Sequence, residues 1–96
     1  MESAGLTEFS EMLKAVAHPS RMAIMHLLCN RNDKRMTVKS LYNELKMEQP
    51  VISRHLGILK NSGLVQRVTE GQNTFYELCE KNETVKHISK CFSSLK

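Results

Sequence analysis

A helix with clear start and stop signals lies in the middle of the chain. Pro50 suits the first turn of a helix, and Gly63 suits the left-handed residue just past its end, so the sequence predicts a helix over residues 49–62. Apolar residues at helical spacing predict a shorter helix near 38–46, directly before it. Two short helices joined by a tight turn are typical of a helix-turn-helix, and this pair limits the chain to few folds.

A β-hairpin is predicted directly after the second of these helices. Two β-rich segments near 65–78 flank Glu70–Gly71–Gln72, a sequence suited to a short turn. Met36 is predicted to form a short strand before the third helix, and the remaining helices are predicted near 6–17, 19–29 and 83–95. The order α-α-(short β)-α-α-β-β-α, mainly α with a small β-hairpin, predicts a winged helix-turn-helix.

The size of the chain predicts a single domain that pairs with a second copy. A chain of 96 residues with 41% apolar content can close one modest core, so one domain is expected over 1–96. The apolar stripes of the first and last helices exceed what that core is expected to cover, which predicts a homodimer. The predicted interface residues are Leu6, Phe9, Met12, Val16, Val85, Ile88, Phe92 and Leu95.

Net charge and cysteine content indicate which partners and which cellular compartment suit the protein. The formal net charge of +4 suits a partner that carries phosphates. Three cysteines without a C-x-x-C pair fit neither a disulfide scaffold nor a zinc knuckle, and favour a reducing cytoplasm. No run of some 18 apolar residues is present, so no membrane-spanning segment is expected, and no membrane is predicted among the partners.

The predicted helix over 49–62 carries two contrasting faces. At roughly 100° per residue, its core face holds Ile52, Leu56 and Leu59. A glycine inside a helix costs about 1 kcal/mol relative to alanine, so Gly57 indicates close approach of another surface. The opposite arc, roughly 120° wide, is basic, rich in hydrogen-bond donors and low in relief, and it holds Pro50, Ser53, Arg54, Gly57, Lys60 and Asn61.

This exposed arc fits the major groove of duplex DNA. The groove admits one α-helix, whose N-terminal residues reach base edges while flanking cations neutralise phosphates. Gln49, Ser53 and Arg54 are predicted to contact bases, and Lys60 and Arg67 to contact phosphates. The alternative is a merely solvated helix face. The helix's place as second in its motif, with a hairpin behind it, favours DNA binding.

Four segments of the chain carry recognisable motifs: Leu13–Arg21, Gln49–Lys60, Gly63–Val65 and Gly71–Leu78. The first two resemble the arsenic-repressor (ArsR/SmtB) family most closely, and the last two are similar to the family's run from recognition helix into wing and final strand. The similarity covers nearly the whole chain. It implies a homodimer built on the first and last helices, with recognition helices in successive major grooves. It also implies repression relieved by an inducer, and wings over the flanking minor grooves, which adds Gln72 and Asn73 to the predicted DNA contacts.

The metal ligands of many family members are missing from this sequence. Where those members open the third helix with a Cys-x-Cys pair, this chain has Thr37–Val38–Lys39. In the region of the family's second zinc site, Glu80 is the one conventional ligand. His87 and Cys91 are one helical turn apart, but two ligands rarely suffice. We therefore predict no metal and no cofactor.

Cys29 and Cys91 form a candidate thiol switch. They lie on the second and last helices, where some members of the family use a thiol pair to sense oxidants or persulfides. The positions of Cys29 and Cys91 along these helices do not coincide with those of the family's thiol pairs. The alternative is that both thiols act as small apolar residues of the core.

Two other classes of protein fit the sequence less well. An enzyme is not expected, because the sequence has no phosphate-binding glycine loop, nucleophile motif or concentrated set of ligands. A winged-helix protein-interaction module would share the fold but would not need a basic recognition face. Arg54, Lys60 and Arg67 argue against that module, and steep salt dependence of binding would exclude it.

Overall fold

The computed structural model describes residues 3–95; Met1, Glu2 and Lys96, which the predicted single domain includes, lie outside the described residues. Within that part of the chain the element order is the predicted one, and the winged helix-turn-helix fold is confirmed. The elements are α1 (Ser3–Val16), α2 (Pro19–Cys29), β1 (Arg35–Thr37), α3 (Val38–Leu45), α4 (Gln49–Asn61), β2 (Val65–Glu70), β3 (Asn73–Leu78) and α5 (Glu83–Ser93).

Local signals explain most of the helix ends. The imidazole Nδ1 of His18 accepts a hydrogen bond from the Ser20 amide at 3.1 Å and so caps α2. Asn82 caps α5 in the same way. Gly63 has a φ of +85°, and the amide of Leu64 donates to the carbonyl of Leu59 at 3.1 Å, which ends α4 at the predicted glycine.

The two terminal helices differ from their predicted bounds. The first helix begins at Ser3, not near residue 6, because the apolar stripe marks the face of a helix and not its first turn. The last helix ends at Ser93, not near 95. The hydroxyls of Ser93 and Ser94 donate hydrogen bonds to the backbone carbonyls of Ser89 and Lys90. Such bonds from serine side chains compete with the backbone bonds of a helix, and they lie in its last turn.

The strands form one antiparallel sheet in the order β1-β3-β2. Glu70 pairs with Asn73, so a two-residue turn of Gly71 and Gln72 closes the hairpin. Gly71 has a φ of +62°, which a side chain would disfavour. This hairpin is the wing, and β1 widens its base through the pairing of Met36 with Tyr76.

One hydrophobic core contacts every helix and strand and fixes the orientation of α4. Ile52, Leu56 and Leu59 of α4 are fully buried, as their spacing predicts. Among the described residues, no helix is both long enough and apolar enough to cross a membrane. The other buried apolar residues are Met12, Ala15, Val16, Ile24, Met25, Leu28, Cys29, Met36, Leu41, Leu64, Val65, Leu78, Val85, Ile88 and Phe92.

Candidate nucleic-acid interface

Helix α4 turns its basic arc to solvent. Because three leucine and isoleucine side chains anchor the opposite face in the core, the arc cannot rotate inward. Gly57 is half-buried. The remaining arc residues, together with Gln49, are exposed: Pro50, Ser53, Arg54, Lys60 and Asn61.

The space outside Gly57 is open. A Cβ built on this residue meets nothing within 4 Å. No packing contact among residues 3–95 therefore requires glycine there, although glycine weakens the helix by about 1 kcal/mol relative to alanine. A glycine with open space outside it leaves room for an external surface to approach the backbone of α4 closely.

His18, which caps α2, and Arg21, in the first turn of α2, both contact His55 of α4. The rings of His18 and His55 lie 4.7 Å apart between centroids, and Arg21 Nη1 lies 3.2 Å from His55 Nδ1. Burial lowers the pKa of His55, and the neighbouring charges of His18, Arg21 and Arg54 lower that pKa further. The neutral imidazole can accept a hydrogen bond from Arg21, which ties the recognition helix to the start of α2.

The wing places three of the predicted contact residues in solvent. Arg67 is exposed on β2, and Gln72 and Asn73 are exposed at the hairpin turn. Arg67 pairs with Tyr76 across the hairpin. The wing and α4 thus offer two separate sets of polar side chains, as a reader of both grooves would need.

The predicted dimer stripes divide into exposed and core residues. Leu6, Phe9 and Leu95 are exposed, at 51%, 41% and 57% of their surface. Met12 and Val85 are at most 2% exposed, because the protomer's own core covers them, so their assignment to a dimer surface is wrong.

The other three stripe residues line an apolar groove. Val16, Ile88 and Phe92 are at most 8% exposed and form its floor, so they too belong mainly to the core. The groove has a volume of about 270 Å³ and is lined by Phe9, Leu13, Val16, Met22, His87, Ile88, Cys91 and Phe92. Leu13 and Met22, both exposed, were missed as surface candidates because periodicity assigns them to helices without showing which neighbours cover them.

The two thiols of the candidate switch face different surroundings. Cys29 is 1% exposed and makes a hydrogen bond with Ser89 of α5, and burial raises the pKa of its thiol. Cys91 is exposed and lines the apolar groove. Ser89 and Cys91 are two residues apart and so lie on different sides of α5, which means that Cys29 packs against a side of α5 other than the one that carries Cys91, and the paired switch stays a prediction.

The candidate metal ligands are not assembled into a site. In the part of the chain that the structure describes, no group of three or more His, Cys, Asp or Glu side chains could hold a metal ion. Thr37 occupies the position of the missing Cys-x-Cys pair and caps α3, where its Oγ1 accepts from the Ser40 amide at 3.1 Å. His87 and Cys91 line the groove without a third ligand beside them.

Relatives with known sequences resemble this chain along most of its length. The family model described as bacterial regulatory protein, arsR family, matches residues 18–67. An uncharacterized HTH-type transcriptional regulator of Methanocaldococcus jannaschii is 38% identical over 90% of this chain and 92% of its own length. The biofilm growth-associated repressor of Agrobacterium fabrum is 35% identical over 77% of this chain, which spans 61% of that protein.

Solved structures share the same fold. The crystal structure of the transcriptional repressor PagR of Bacillus anthracis has a TM-score of 0.80 and 29% identity, covering 94% of this chain and 98% of that one. The solution structure of a homodimeric winged helix-turn-helix DNA-binding domain from Mycobacterium bovis has a TM-score of 0.77 and 26% identity, covering 93% and 78%.

The fold and the exposed basic face of α4 define a winged helix-turn-helix transcriptional regulator. The match to the family model and the 38% sequence identity to the Methanocaldococcus jannaschii regulator make the assignment specific. The chain belongs to the arsR family of bacterial regulatory proteins. This confirms the resemblance drawn from the sequence motifs, and it confirms that the protein is not an enzyme, since this family consists of transcriptional regulators.

Proposed function

We propose that the protein is a homodimeric, cytoplasmic repressor that binds a double-stranded DNA operator and is released by an inducer. The observation that carries the proposal is the exposed basic arc of α4, held outward by a fully buried opposite face. A relative and a structural neighbour are both named as repressors. A repressor of this kind acts by occupying DNA that the transcription machinery needs.

Base readout is assigned to the N-terminal half of the α4 arc. The guanidinium of Arg54 can donate two hydrogen bonds to guanine, Gln49 can pair with adenine, and Ser53 can bond either a base or a phosphate. Pro50 and Gly57 keep the helix surface low, so that its backbone can approach the groove floor.

Phosphate contacts are assigned to the flanks of that helix and to the wing. Lys60 lies toward the C-terminal end of α4, and Arg67 lies on β2. Both are exposed cations. Gln72 and Asn73 at the hairpin turn are assigned to the minor groove beside the recognition site.

A second copy of the chain is assigned to the apolar groove between α1 and α5. Phe9, Leu13 and Met22 leave 41–45% of their surface exposed at this groove. The structural neighbour from Mycobacterium bovis is homodimeric. A two-fold dimer presents two recognition helices to half-sites about 34–36 Å apart, so the proposal predicts a palindromic operator.

Selection of bound sequences from random duplexes tests the proposal. We expect enrichment of a palindrome, and affinity for the enriched duplex that falls with salt at a slope of about −0.9 for each phosphate contacted. Arg54→Ala should lose the enriched site, whereas Lys39→Ala on the exposed face of α3 serves as a control of equal charge change. No enrichment, or binding that is insensitive to salt, would favour a protein-interaction module instead.

A further inference from the structure

Arg35 places its guanidinium at the base of the wing, against three side chains of the hairpin. Its Nη2 lies 3.2 Å from Glu70 Oε1, and its Nε lies 3.9 Å from Glu77 Oε1. Its Cζ lies 3.9 Å from the centroid of the Phe75 ring. The side chain is only 21% exposed, so this arginine is packed into the sheet and does not reach freely into solvent.

Strand pairing puts these groups on one face of the sheet. Arg35 pairs with Glu77, and Phe75 lies two residues before Glu77 on the same strand. Met36, the next residue after Arg35, points to the opposite face and is buried in the core. The guanidinium therefore lies on the outer face of the sheet and reaches across Phe75 to Glu70, next to the hairpin turn.

The positive charge of Arg35 is balanced by carboxylates. Its Nε and Nη2 atoms are shielded from solvent, and within the described residues they form ion pairs with these carboxylates but no hydrogen bond. Glu77 is shared, because Gln66 Nε2 donates a hydrogen bond to its other carboxylate oxygen. Glu70, whose side chain is 58% exposed, is the closer partner and the one beside the turn.

We propose that Arg35 is a positioning residue for DNA binding, which neutralises Glu70 and holds it away from the DNA backbone. The proposal rests on the proposed function, in which the wing turn approaches phosphates. Glu70 directly precedes the turn formed by Gly71 and Gln72, so an unpaired carboxylate there would repel the phosphates that the wing meets. One charge pair at about 4 Å in water corresponds to about fivefold in affinity.

A set of four proteins tests this role: the parent, Arg35→Met, Glu70→Gln and the double variant. Affinity for the selected duplex is measured at low salt and again at high salt. We expect Arg35→Met to bind about fivefold more weakly at low salt, with the loss shrinking as the Debye length falls from about 10 Å at 0.1 M to about 3 Å at 1 M. We expect the double variant to bind within about twofold of the parent, because no carboxylate remains to be neutralised at that position.

Lys86→Met is the matched control. Lys86 forms an ion pair with Glu83 at 3.7 Å on α5, away from the wing, so its loss changes net charge equally and should leave affinity within about twofold. An equal loss in this control would show that net charge is responsible and would overturn the proposal. So would a double variant as weak as Arg35→Met, or an Arg35→Met protein that binds like the parent.

Arg35→Lys covers the case in which Arg35→Met fails to fold. The ammonium keeps the charge while losing the planar fork, so a folded Arg35→Lys protein should bind within about twofold of the parent. A fivefold loss in that variant would mean that shape and not charge matters, and would overturn the proposal. A parent protein that binds no duplex would overturn the proposed function itself, which the other outcomes leave standing.

Discussion

Phe9→Glu should split the dimer while leaving the protomer folded. Phe9 is 41% exposed at the apolar groove. With about 200 Å² for a whole phenylalanine, a partner would cover about 80 Å² of it. At about 25 cal/mol per Å², that burial is worth about 2 kcal/mol per copy and about 4 kcal/mol in a two-fold dimer. The dimer dissociation constant should therefore rise about a thousandfold.

Sedimentation equilibrium over a concentration series measures this change, with circular dichroism as the test of folding. Val51→Glu is the matched control, because Val51 is 38% exposed but lies on α4, outside the groove. That variant should stay dimeric. A folded Phe9→Glu protein with the parent's dimer dissociation constant would refute the assignment of a second copy to this groove.

Three further predictions concern stability and reactivity. Leu56→Ala should lower the free energy of unfolding by about 2–5 kcal/mol in urea denaturation, because Leu56 is fully buried. The pKa of His55 is lower in the folded protein, so as the pH falls the unfolded chain takes up a proton first. The free energy of unfolding should therefore decrease as the pH drops below about 6.5. His55→Gln should remove that part of the pH dependence. An aromatic disulfide reagent should label Cys91 faster in the Phe9→Glu monomer than in the parent, because Cys91 lines the groove that the second copy would cover. Cys29 should react only on unfolding, because it is buried and the pKa of its thiol is raised.

Local signals in the sequence were enough to predict α4. Pro50 and Gly63 mark its ends, and the spacing of its apolar residues orients the helix, so both its bounds and its exposed arc could be derived without a structure. The fold class followed from the same kind of signal, since each element of a winged helix-turn-helix has its own periodicity and its own turn residues.

Contacts between distant residues could not be predicted in this way. Arg35 meets Glu70 because β3 lies between β1 and β2 in the sheet. The hydrophobic spacing within each strand does not predict the order of the strands. Likewise, periodicity places Val85 and Phe9 on apolar stripes, but only packing shows that the protomer covers the first and leaves the second exposed. The residues that a protomer keeps for its own core are decided by the neighbours that the fold supplies.

Comparison of Arg54→Ala with Lys60→Ala on selected and random duplexes, across a salt series, tests base readout by α4 most directly. Losing a base-directed pair should cost Arg54→Ala about 1–3 kcal/mol on the selected duplex and little on random DNA. Losing a phosphate contact should weaken Lys60→Ala on all sequences alike and reduce its salt slope by about one. Both side chains are exposed, so folding stability should change by no more than about 0.5 kcal/mol. An Arg54→Ala protein that binds the selected duplex as tightly and as selectively as the parent would contradict the assignment of α4 as the reading helix.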